Sequence, residues 1–107
     1  MRRIVLLCVI AVLGTVVGWL SWSIHRRHKI ERAFEELAAG ATEAQLTARL
    51  GKPQFTAACG KTFGGDMPVG CAKEMIYGSG IPLDVTYWAF FFDVKGRLIY
   101  RYMYGSP

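Results

Sequence analysis

The side chains best able to do chemistry in this chain are few and far apart. His25 and His28 stand together just past a long apolar run, and no histidine lies among residues 29–107. That removes from most of the chain the commonest general base and the usual partner of a Ser or Cys nucleophile. Cys59 and Cys71 are too distant in sequence for a CxxC redox pair. They also lack the further Cys or His ligands that a zinc site requires. Asp66, Glu74, Asp84 and Asp93 fall in different turns and strands, with no spacing that pairs two carboxylates for acid–base work. Asp93 is better explained by turn chemistry. The glycines from Gly60 to Gly80 match neither a P-loop nor a dinucleotide fingerprint. The expectation is no enzyme, no bound metal, no cofactor and no small-molecule substrate.

One chemical reading of the cysteines remains. Gly60, Gly64, Gly65, Pro68 and Gly70 lie between Cys59 and Cys71, so the segment has little apolar content to order it. A disulfide closing so short a loop contributes roughly 3 kcal/mol and belongs in an oxidising compartment. The alternative is two unpaired thiols. Cys8, inside the apolar run, reads as a small apolar filler.

The elements that would position these groups follow from period and punctuation. Residues 40–53 form a short helix with its start and stop signals in place. Thr42 and Gln45 have the spacing of a capping box, Leu46 and Leu50 make one apolar stripe, Gly51 suits the left-handed residue past the end, and Pro53 forbids continuation. Before it, residues 29–39 carry Ile30, Ala33, Phe34 and Leu37 at amphipathic helical spacing, ending at Gly40. After it come a weak strand at 54–58, a second at 73–77 stopped by Gly78-Ser79-Gly80 and Pro82, and a strong β-branched and aromatic strand at 85–92. Asp93-Val94-Lys95-Gly96 turns the chain into a partner strand, Leu98–Tyr104. The order predicts an α+β fold: an N-terminal transmembrane helix, then two helices packed on three antiparallel strands, or four if the weak strand joins.

Residues 4–24 contain no charge and are long enough to cross a bilayer core. Trp19 and Trp22 suit the interfacial belt. Arg2 and Arg3 would also serve a cleaved secretory signal, but the run is long for one and Trp22 and Ile24 crowd the candidate cleavage site. Nothing breaks the helical pattern between this run and residues 29–39, so the two are compatible with one rod. The division expected is an anchor with basic flanks at 1–28 and a domain at 29–107.

The net charge of +5 is unevenly placed. Beyond Arg32 the basic and acidic side chains cancel, which leaves the excess at the two ends of the apolar run. The folded part therefore has no basic stripe for nucleic acid. Arg26, Arg27 and Lys29 are candidates to contact anionic lipid headgroups. A positive-inside count on these flanks favours a cytoplasmic domain, whereas the cysteines favour an oxidising one.

In the predicted hairpin, Trp88, Phe90 and Phe92 share one face of the first strand. Simple alternation puts Leu98, Tyr100, Tyr102 and Tyr104 together on the second. Aromatics on an open face mark contact surfaces, which makes Trp88, Tyr100 and Tyr102 the partner-contact candidates; the competing reading is that the helices cover that face.

The block Gly-x-Thr-x-x-x-Leu-x-x-x-Leu-Gly-x-Pro at 40–53, the strand ending at Tyr77, and Trp88-Ala-Phe-Phe-Phe-Asp-x-x-Gly-Arg-Leu at 88–98 resemble the SmpA/OmlA, or BamE-like, family of small envelope domains. The likeness spans about residues 29–106. It implies two helices on a three-stranded antiparallel sheet, a periplasmic location, and protein binding rather than catalysis. Lipoproteins of that family carry a lipobox cysteine at the end of the signal, and here Cys8 comes too early. The expectation is therefore a domain held at the inner membrane, facing the periplasm, that binds a protein partner in envelope assembly or maintenance. The alternative is an accessory protein that inhibits a periplasmic enzyme or toxin.

Overall fold

The computed structural model describes residues 1–78 and 86–105. The stop signals at Ser79, Gly80 and Pro82, the carboxylate of Asp84 and the expected strand start at Val85 lie outside the described residues.

The first element, α1 (Arg2–Glu36), is one helix of 35 residues, so the apolar run and the first amphipathic segment are a single rod. At 1.5 Å per residue it measures about 52 Å. Its first two-thirds are exposed and apolar, long enough to cross a membrane. Its last third packs on the domain through Ile30 and Ala33, both buried. The division expected at residue 28 falls inside this helix, and Ser23, on the anchor side of it, is already buried. Anchor and domain share one continuous element.

The helix stops earlier than its periodicity suggests. Leu37 turns extended, at φ −68° and ψ 122°, instead of continuing to Ala39. The cause is tertiary. The Leu37 carbonyl accepts a hydrogen bond from the Arg101 guanidinium at 2.6 Å. Gly40 N–H donates to Leu98 O, and Leu98 N–H donates to Ala41 O. These bonds hold residues 37–41 along the hairpin, where a further helical turn would leave its polar groups unpaired.

α2 (Glu43–Leu50) forms as its signals dictate. Thr42 Oγ1 accepts from Gln45 N–H at 3.1 Å, and Gln45 Oε1 accepts from Thr42 N–H at 2.8 Å. Gly51 takes φ 79° just past the last turn, a conformation that costs other residues. Leu46 and Leu50 face the core.

Four strands follow, β1 (Phe55–Ala57), β2 (Lys73–Gly78), β3 (Tyr87–Phe92) and β4 (Leu98–Tyr104), in one antiparallel sheet of order β1-β2-β3-β4. The fold is α+β, and the weak fourth strand is present as β1. The β3–β4 turn is tied by Asp93 Oδ1, which accepts from Lys95 N–H at 2.9 Å and Arg97 N–H at 3.0 Å. Gly96, at φ 75°, completes it.

The ladder contains one irregularity with large consequences. Phe92 pairs with Leu98, but Phe91 pairs with Tyr100, so Ile99 is an extra residue on β4. A bulge of this kind reverses the facing of everything beyond it. Leu98 joins Phe92, Phe90 and Trp88 under the helices. Tyr100, Tyr102 and Tyr104 pair with Phe91, Ala89 and Tyr87 on the opposite face. The expectation that Leu98 shares a face with the three tyrosines is therefore corrected.

Both faces of the sheet are covered. On one, α1 and α2 bury Met75, Tyr77, Trp88, Phe90, Phe92 and Leu98. On the other, the Cys59–Cys71 segment folds over Ile76, Ala89 and Phe91, with Met67 and both cysteines packed against them.

Candidate interaction surfaces

The two cysteines are bonded, with Cα atoms 6.0 Å apart. The loop they close is also pinned from within by Glu74, which is 1% exposed. Its carboxylate accepts from Thr62 N–H at 2.9 Å and Gly60 N–H at 3.4 Å. A carboxylate is stable in such a place only because backbone donors replace its water.

This pinning sets the position of Phe63, the lone aromatic residue of the loop. Its ring lies 4.5 Å from Tyr104 and 5.4 Å from Tyr87 between centroids. From Tyr104 the row continues along β4 to Tyr102 at 4.8 Å and on to Tyr100 at 6.5 Å. Tyr100 in turn covers Phe91 at 5.6 Å. Tyr100 and Tyr102 remain 43% and 48% exposed, and β4 is an outer strand of the sheet. The outcome is a row of half-exposed rings on an outer strand whose edge, among the described residues, is covered by residues 40–42 at Arg97 and Leu98, before the row begins. Burial, followed by the nearby Glu74 charge, raises the Tyr104 hydroxyl above the usual tyrosine value. The row offers aromatic faces with hydroxyl groups at their tips, which suits binding.

Trp88 does not belong to this surface. It is 1% exposed and faces the helices, with the Arg27 guanidinium 5.7 Å from its ring centroid. Strand alternation places it opposite the tyrosines, so Trp88 is a core residue and not an accessible contact.

A second surface lies where α1 leaves the apolar run. Of the three headgroup candidates, Arg27 turns toward the domain, pairing with Glu31 at 3.1 Å and lying over Trp88. Arg26 lies 5.8 Å from the Trp22 ring centroid. Lys29 instead lines an open cavity of about 460 Å³ with His25, His28, Arg32 and, across from α2, Arg49. Arg49 pairs with Glu36, and His28 approaches Glu31 at 3.8 Å. Among the described residues, Lys29 and Arg32 have no ion-pair partner.

Sequence reasoning missed Phe63, Glu74 and Arg49 as residues that build these surfaces. The carboxylate of Glu74, next to the apolar Met75-Ile76-Tyr77 of β2, is buried and partnered. The basic spacing 25, 28, 29 and 32 is one helix face. Among the described residues, no group of three or more His, Cys, Asp or Glu side chains is placed to hold a metal ion. Compared with known families, characterised proteins and solved structures, the chain matches none.

Proposed function

We propose that the chain is a membrane-anchored interaction protein of BamE-like type, held by α1 in the inner membrane with its domain in the periplasm. Its work is to bind a protein partner in envelope assembly or maintenance, without catalysis. The observation that carries this reading is the half-exposed aromatic row of Tyr100 and Tyr102 on β4, an outer strand of the sheet. Outer strands present unpaired backbone groups, and aromatic side chains beside them supply affinity and specificity. The Cys59–Cys71 bond supports an oxidising compartment.

Two measurements on the full-length chain in cells test the proposal. With Cys8 replaced by Ser, a high-mass maleimide should label Cys59 and Cys71 only after reduction. Labelling without reduction removes the periplasmic assignment. A photoreactive amino acid at Tyr102 should then give a discrete protein adduct that the same group at Val94, exposed on the hairpin tip, does not. Identical patterns from both positions remove the aromatic row as the contact surface.

A further inference from the structure

The basic cavity between α1 and α2 is not explained by protein binding at the far side of the sheet. His25, Lys29 and Arg32 continue, along one face of α1, a stripe that begins in the apolar segment with Gly14, Gly18 and Ser21. At 100° per residue these positions stay within roughly one-third of the helix circumference. Below, the stripe is small and flat, with open space where a Cβ of Gly14 or Gly18 would stand. Above, it is cationic and is faced by Arg49 from α2. Two of its cations, Lys29 and Arg32, are unneutralised among the described residues.

We infer that this cavity is a headgroup site for a membrane lipid carrying more than one phosphate, its acyl chain lying along Gly14 and Gly18. The inference rests on the reading that α1 spans the membrane. Three features select the ligand. Charge favours an anion: Lys29, Arg32 and Arg49 outnumber the nearby carboxylates, of which Glu36 pairs with Arg49 and Glu31 with Arg27 beside His28, and the ring nitrogens of His25 and His28 are further donors. Size leaves room for more than one phosphate. A cavity of about 460 Å³ holds on the order of fifteen waters, and His25 to Arg32 span about 10 Å along the axis. Position favours a lipid, since a second, smaller cavity that reaches Trp22 at the end of the apolar run shares His25 and Lys29 with this one. A second copy packed on the same stripe would set the two cationic faces against each other, which is unfavourable without an intervening anion.

The test uses the full-length chain in lipid nanodiscs, with retained lipid counted by native mass spectrometry. Discs contain phosphatidylcholine with cardiolipin, which carries two phosphates, or with phosphatidylglycerol at matched total charge. The expected result is cardiolipin retention at least tenfold above phosphatidylglycerol. It should be lost in K29Q/R32Q/R49Q and kept in K52Q/K61Q/K95Q, which removes equal charge elsewhere. Because Arg49 pairs with Glu36, K29Q/R32Q alone provides a variant that leaves this contact intact and should still cost most of the selectivity. Equal retention of the two lipids, or no effect of either groove variant, overturns the site while leaving the membrane anchor standing. Failure of the chain to enter discs overturns both. If inorganic diphosphate binds the detergent-solubilised protein as tightly as cardiolipin does, the ligand is a soluble phosphate and the lipid assignment fails. A dimer in discs that excludes lipid from the stripe gives that face to a second copy instead.

Discussion

On its helix side the sheet meets two regular elements. Ile30, Ala33, Leu46 and Leu50 present apolar stripes to Met75, Tyr77, Trp88, Phe90 and Phe92. On its other side it meets a Gly-rich loop with few apolar residues, closed by a disulfide and tied by one buried carboxylate. The helix side is a continuous hydrophobic core whose backbone polar groups are satisfied within the helices. Among the described residues, the loop side fully buries three hydrophobic residues, Ile76, Ala89 and Phe91, and its backbone needs the buried Glu74 as an acceptor. One face is thus stabilised by burial, the other by covalent closure and a charged hydrogen-bond acceptor. A small domain with room for a single good core covers its second sheet face by these means.

The largest effect that sharpens this contrast is a cavity in the helix-side core. Phe90 is fully buried and meets Phe34 edge-on at 5.8 Å and Tyr77 at 5.9 Å. Phe90→Ala should cost about 3–5 kcal/mol, read from denaturation of the detergent-solubilised full-length chain. The loss should be the same in oxidised and reduced protein, because the disulfide lies across the sheet. Phe91→Ala, under the loop, should lose part of its cost once the disulfide is reduced. Equal redox dependence at the two positions would mean that the faces are not energetically separate.

Next in size is the disulfide. Cys59→Ser with Cys71→Ser should cost about 3 kcal/mol and expose the Ile76–Phe91 face to an apolar dye, with the helix-side core intact. A variant as stable as the parent would show that loop packing through Met67 suffices. Glu74→Ala comes third. It leaves the Thr62 and Gly60 N–H groups without their acceptor and should cost about 1–3 kcal/mol. It should also raise hydrogen exchange at Thr62 first. If exchange there is unchanged, Glu74 does not order the loop.

The same contrast explains what could be read in the sequence. α2 is fully legible because Thr42, Gln45, Gly51 and Pro53 act locally, and each sits where its chemistry requires. The aromatic run of β3 and the Asp93–Gly96 turn are local in the same sense. The end of α1 at Glu36 is not, because it is decided by Arg101, far along the chain. Nor is the facing of Leu98 against Tyr100, since the extra residue at Ile99 is visible only when two strands are laid side by side. Trp88 and Tyr102 look alike as aromatic strand residues. Only the position of α1 makes the first core and leaves the second exposed. Of the surfaces, the tyrosine pair was legible. The basic cavity was legible only in its α1 half, because Arg49 arrives from another helix.

The smallest expected effect at neutral pH belongs to the helix side and tests its dryness. Tyr77 is fully buried, and its hydroxyl donates to Gly51 O at 2.8 Å. Burial pushes its ionisation up to about 12, opposed in part by the positive charge of Arg26. In the unfolded chain a tyrosine ionises near pH 10, so between about pH 10 and 12 the folded state holds a proton that the unfolded state has released. Stability from this group is therefore complete below about pH 10 and is lost as pH rises through about 12. Tyr77→Phe should cost only about 1 kcal/mol at neutral pH, the worth of one hydrogen bond. Above pH 10 it should flatten the fall in stability, leaving a residual slope from Tyr104, whose ionisation burial also raises. A fall as steep in the variant as in the parent would assign the alkaline transition to the loop side, and the helix-side core would then be wetter than its packing requires.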